Sequence, residues 1–158
     1  MIKRILLTMI ILLPTALLAQ GNEEIDMLQS MYGMEKRKLV EQYMKLPAES
    51  SPAFWTVYDQ YEGDRKELGK KRITLIGEYA ENYMNLTDEK ADQLAKELLA
   101  NNVALEKLHQ KYYAKFKKAT SPLKAAQFLQ LETFLQNEIR SAIQEEIPFI
   151  GELEGLRN

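Results

Sequence analysis

Residues 87–122 read TDEKADQLAKELLANNVALEKLHQKYYAKFKKATSP, and the fold class follows from this stretch. Thr87 or Asp88 stands where a helix N-cap belongs, because a side-chain oxygen there satisfies a backbone N–H that the first turn leaves unpaired. Glu89 follows in the first turn, where negative charge suits the helix dipole. Ala91, Leu94, Leu98, Asn101, Leu105, Leu108, Tyr112 and Phe116 then recur at steps of three and four. That spacing is the seam of long helices packed side by side. Ser121-Pro122 opens the next helix, as an N-cap followed by a proline whose missing N–H costs nothing at the first helical position.

Outward from this stretch the same signals recur. Ser51-Pro52 repeats the cap and proline, Pro47 closes an earlier segment that begins near Glu23, and Pro148 closes the last. Four helices are predicted, over Glu23–Leu46, Pro52–Met84, Asp88–Ala119 and Pro122–Ile147. No strand-like alternation competes with them. The second carries a seam of Phe54, Tyr58, Tyr61, Arg65, Leu68, Arg72, Leu75 and Tyr79; the fourth carries Phe128, Leu131, Leu135, Ile139, Ala142 and Ile147. Arg65, Arg72 and Asn101 interrupt these seams, and the expectation is that they sit near the edges or set the register. At about 1.5 Å per residue the two central helices are each near 50 Å long. Rods of that length predict an all-α protein of long antiparallel helical hairpins, extended or cradle-like, that packs as a homodimer. A monomeric antiparallel bundle is the alternative.

The chain ends bound the compartment. Lys3 and Arg4 precede an uncharged apolar run from Ile5 to Leu18, and Ala19 stands ahead of polar chain. This is the pattern of a secretory signal peptide, too short for a comfortable membrane span. Residues 1–19 are therefore expected to be a leader cleaved after Ala19, with residues 20–158 forming a single helical domain in the periplasm. No cysteine is present, which excludes disulfides, thiolate metal sites and cysteine nucleophiles. Beyond residue 19 the chain carries 19 basic and 23 acidic side chains. Nucleic acid, which needs a concentrated basic face, is not an expected partner.

Chemistry is sparse. His109, the sole histidine, follows Glu106 at the step that carboxylate-bridged metal sites use, but those sites need a second such pair. An exposed helical histidine is the simpler expectation. No serine lies in a nucleophile elbow, and there is no Gly-rich phosphate loop. Catalytic residues, metal and cofactor are accordingly expected to be absent. Gly63, Gly69 and Gly77 lie within the second helix, where close helix approach or bending would explain them. Binding is suggested by Met27, Met31 and Met34 along one side of the first helix, since methionine surfaces adapt to varied apolar partners. Phe54, Trp55 and Tyr58 add large amphipathic contacts. Together these six are the expected client-binding surface; burial in a core or dimer interface is the other reading.

Leu86-Thr87-Asp88-Glu89-Lys90, at the second inter-helix junction, resembles the LTxxQ signature of the Spy/CpxP family of periplasmic proteins. Leu86 and Thr87 match the signature, and Lys90 stands where the family has glutamine. The leader, the mature length, the lack of cysteine and the four long helices are similar to that family too. The resemblance implies a cradle-shaped dimer. It also implies an ATP-independent chaperone for unfolded envelope proteins, or an adaptor that restrains a membrane stress sensor. Some family members bind metal through several histidines, whereas this chain has one. The chaperone cradle is basic, and this chain is mildly acidic. A structural or assembly role in the envelope, without client binding, is the alternative function.

Overall fold

A computed structural model describes residues 22–147, with the side chains of residues 22–28, 31 and 146 excepted. The expected leader and the stop at Pro148 lie outside the described residues. Four α-helices follow in order: α1 Asn22–Met44, α2 Ser51–Asn82, α3 Asp88–Ala119 and α4 Pro122–Glu146, with a 3₁₀ turn at Tyr83–Asn85. Among the described residues there is no strand.

The helix ends show which local signals act. Thr87 Oγ1 accepts from Lys90 N at 3.2 Å, and Ser121 Oγ accepts from Lys124 N at 3.2 Å, so both caps form as the sequence requires. The start of α2 differs from expectation. Ser50, not Ser51, is its N-cap, and Ser50 is already in helical backbone, so its hydroxyl turns back to donate to Pro47 O at 3.3 Å. No side-chain cap forms there. At the other end of α1, Lys45 takes a left-handed backbone, φ 42°, which reverses the chain after Met44. Lys124 Nζ donates to Met44 O at 2.5 Å and Gln127 Nε2 to Tyr43 O at 3.2 Å. Two carbonyls that α1 leaves unpaired at its end are thus satisfied by α4.

Cross-helix partners fix the topology. Gln60 meets Lys115, Asp64 meets Lys111 and Tyr112, Leu68 meets Asn101, and Glu78 meets Lys90. Rising numbers on α2 meet falling numbers on α3, so the two run antiparallel. Likewise α1 is antiparallel to α2 through Gln29–Lys66 and Lys36–Glu62, and to α4 through Lys36–Glu132 and Met44–Lys124. The α2–α3 and α3–α4 interfaces are the most extensive.

The seams read from sequence are buried over part of their length, while Leu68, Arg72, Tyr79, Ala91, Leu98, Ile139, Ala142 and Ile147 are half-buried. Phe54, Tyr58, Tyr61, Leu105, Leu108, Tyr112, Phe116, Phe128, Leu131 and Leu135 form one core, joined by Val40 and Met44 of α1. Its centre is aromatic: Phe116 and Phe128 have ring centroids 4.4 Å apart, and Phe54 lies 5.0 Å from Phe116. Asn101 is buried within the seam and donates from Nδ2 to Leu68 O at 3.0 Å, a bond that holds α3 in register against α2. Gly63 and Gly77 face open space, so close approach does not account for them; Gly69 lies on the α1 side, where an added Cβ would come within 3.1 Å of Gln29 Nε2. Among the described residues no helix is long and apolar enough to cross a membrane.

Candidate functional site

At one end of the bundle α2, α3 and α4 enclose an open groove of about 560 Å³. Leu75, Ile76 and Tyr79 of α2 form one wall, Leu94 and Leu98 of α3 the second, and Ile143 and Ile147 at the end of α4 the third. Leu86, from the junction between α2 and α3, also lines it, because the cap at Thr87 starts α3 there and turns the preceding residue inward. Two cations interrupt this apolar lining, Arg72 from α2 and Arg140 from α4. Arg72 Nη1 donates to Asn102 Oδ1 at 2.9 Å. The Nε atoms of both arginines are buried without a hydrogen-bond partner, and among the described residues neither arginine makes an ion pair. Burial lowers the Arg72 pKa, and the charge of Arg140 lowers it further. A groove of this size and lining, with a few convergent polar groups, has the character of a small-ligand or peptide-segment site.

Toward the middle of the bundle lies a buried charge cluster. Lys36 is fully buried, with Nζ 2.5 Å from Glu62 Oε1 and 2.5 Å from Glu132 Oε2. Arg65 grips Glu62 from the other side, donating from Nε and from Nη2, the latter at 3.0 Å to Oε2. Glu132 Oε1 also accepts from Gln136 Nε2 at 3.1 Å. The ion pair from Lys36 to Glu132 Oε2 joins α1 to α4 across the cluster. Two cations and two anions leave the cluster formally neutral, the condition for keeping charges out of water. Burial alone would push the Glu132 carboxyl up; the Lys36 ammonium and Arg65 guanidinium outweigh it and hold the group at about 2. Tyr32, Tyr58 and Tyr61 surround the cluster, and burial beside these carboxylates pushes their hydroxyls well above the ordinary range. Arg65 is thus central, not at a seam edge.

The structure separates the residues that the sequence grouped. Phe54 and Tyr58 are 0 % and 1 % exposed, so in the closed bundle they present no surface to a client; the aromatic core takes them. Trp55 is half-buried beneath the Arg37 guanidinium, 4.3 Å from its ring. Met34 is 59 % exposed on α1. The side chains of Met27 and Met31 lie outside the described residues. Leu86 lines the groove, Thr87 caps α3, and Lys90 reaches back to Glu78 Oε2 at 2.6 Å, tying the junction to α2. His109, expected to be exposed, is buried beside Tyr61; Nδ1 is 3.6 Å from Glu106, and Nε2 has no partner among the described residues. It lies on the seam flank next to Leu108 and Tyr112, which carries it inward. Among the described residues no three histidine, aspartate or glutamate side chains gather as a metal site requires.

Compared with protein-family models, curated proteins and solved structures, the chain matches none. Of the residues that define the two sites, Arg65 and Arg72 were visible as charges on an apolar seam. Lys36, Glu62, Glu132 and Arg140 carry no local signal that separates them from solvated side chains.

Proposed function

We propose that this chain is an exported helical binding protein of Spy/CpxP-like character, without catalytic residues or cofactor. It acts in the periplasm as a homodimer, after removal of residues 1–19. There it holds apolar segments of unfolded envelope proteins without ATP, or engages a membrane stress sensor. The observation that carries the reading is the open apolar groove beside Leu86 and Thr87, the two residues that match the family signature. Its walls leave apolar side chains accessible at a junction braced by the Thr87 cap and the Lys90–Glu78 pair. Weak, reversible capture of an apolar segment needs that combination of accessible lining and fixed frame.

A second reading, assembly in the envelope without client capture, is favoured by Leu99 and Val103. These lie one turn apart on α3 and are 64 % and 55 % exposed. The deciding experiment asks whether the chain from Gln20 onward, which holds every described residue, suppresses aggregation of a reduced client without ATP. Suppression near equal molar ratio, lost in Ile143→Glu, supports capture at the groove. No suppression by a folded protein removes the client reading. A dimer in the same sample that Leu99→Lys dissociates transfers the case to assembly.

A further inference from the structure

The groove holds two positive charges that nothing described in the chain neutralises. Arg72 and Arg140 come from different helices, α2 and α4, yet line the same groove, where the charge of Arg140 opposes that of Arg72. Among the described residues Nε of each is shut away from water with no acceptor, and Arg72 meets one side-chain acceptor, the neutral Asn102. A buried N–H without a partner is costly, and two like charges beside an apolar wall add to that cost. A carboxylate in the groove would offset the two positive charges, since its two oxygens match the planar fork of a guanidinium; the enclosed Nε atoms lie beyond a ligand's reach. Inorganic anions would use the arginines and leave the apolar walls wet. A plain hydrocarbon would use the walls and leave the arginines unpaired.

We propose that the groove binds a single-chain amphiphile with a carboxylate head, a long-chain fatty acid, with the head between Arg72 and Arg140 and the chain along Leu75, Ile76, Leu94 and Leu98. Its volume of about 560 Å³ lies within the ~300–1,000 Å³ typical of small-molecule sites. The inference stands apart from the client-binding reading, since it depends on the arginine pair and not on any protein partner.

The test is displacement of a fluorescent fatty acid from the chain beginning at Gln20, by palmitate or by its methyl ester, below their aggregation thresholds. Palmitate is expected to bind saturably, one molecule per chain. Arg72→Gln and Arg140→Gln should each weaken palmitate about tenfold to a hundredfold, the range for a lost charge-assisted pair. The ester should bind weakly to the unaltered protein and be indifferent to both substitutions. Ala91→Trp, which fills the apolar wall and keeps both arginines, should weaken palmitate and ester alike. Unchanged helical content and melting in each variant separate lost binding from lost fold. Equal affinity for acid and ester, or palmitate binding that ignores both arginines, overturns the proposal. So does a chain that takes up no palmitate until Glu152→Gln and Glu154→Gln are introduced, because its own acidic residues would then be the occupant. A client-protection assay that fails while palmitate binds leaves this inference intact.

Discussion

Lys36→Met removes one ammonium from the interior and leaves the rest of the chain in place. The Lys36 side chain is 0 % exposed and that of Glu132 is 1 % exposed, so water does not replace the lost charge. Glu62 keeps its bonds from Arg65, and Glu132 loses the cation against which it is folded. Breaking a buried pair by deleting one partner costs about 3–5 kcal/mol. That is a large share of the ~5–15 kcal/mol by which a domain is stable. With a urea m-value of about 2 kcal/mol/M, the unfolding midpoint should fall by about 2 M. The pH dependence carries a sign of its own. In the unaltered protein the Glu132 carboxyl sits at about 2 when folded and at 4.5 when unfolded, so its contribution is complete above 4.5 and is lost as pH falls toward 2. In Lys36→Met burial prevails and the folded carboxyl rises above 4.5, so the variant gains stability on acidification from neutrality. The two stability curves should therefore converge between about pH 7 and pH 4. Lys36→Met combined with Glu132→Leu should recover most of the loss, because apolar side chains of similar volume replace buried ions at little cost. A loss under about 1 kcal/mol, the range of a solvated surface pair, with parallel pH profiles would refute the reasoning.

Thr87→Ala deletes the side-chain oxygen that receives Lys90 N and should cost about 1 kcal/mol, read as a lower melting temperature with unchanged m-value. Lys45→Gly should stabilise by up to about 1 kcal/mol, because glycine accepts the left-handed backbone at φ 42° without a Cβ penalty. Gly63→Ala, with nothing within 4 Å of the added carbon, should stabilise by about 0.5–1 kcal/mol in the same denaturation experiment. Phe54→Ala, at the centre of the aromatic core, should destabilise by about 3–5 kcal/mol and measure how far that core holds the bundle together.

What the sequence disclosed and what it concealed divide along a physical line. Helix ends were readable where the cap acts within three residues, as at Thr87 and Ser121. The Ser50–Ser51 shift shows the limit, since the turn begun at Pro47 decides which serine is the cap. Seams were readable because periodicity is local to one helix, and Phe54, Tyr61, Leu105 and Phe128 are buried as their spacing predicts. Lys36 was not. It stands among Glu35, Arg37 and Lys38 like any solvated lysine, and its burial depends on Glu62 and Glu132, 26 and 96 positions away. His109 misled for a related reason: its place on the flank of the seam counted for more than its polarity. Phe54 and Tyr58 fit a docking surface as well as the core that apolar stripes more often form, and the packing of α1 and α4 over them decides for the core. The groove was hidden because it is formed jointly by the ends of three helices, which no single helix records.

The ring of contacts that α1 makes bears on the order in which the protein assembles. Its partners on α2 are supplied soon after it, but Lys124 meets Met44 across 80 positions, and Glu132 comes later still. A chain delivered from its N-terminus therefore presents α1 long before its second wall exists, with the Lys36 ammonium hydrated and Glu62 half answered. Closing so long a loop is slow relative to forming α2 and α3 against each other. Synthesis interrupted before α4 would leave a species with its charges still in water and its aromatic strip half covered. The last helix to arrive acts as the latch.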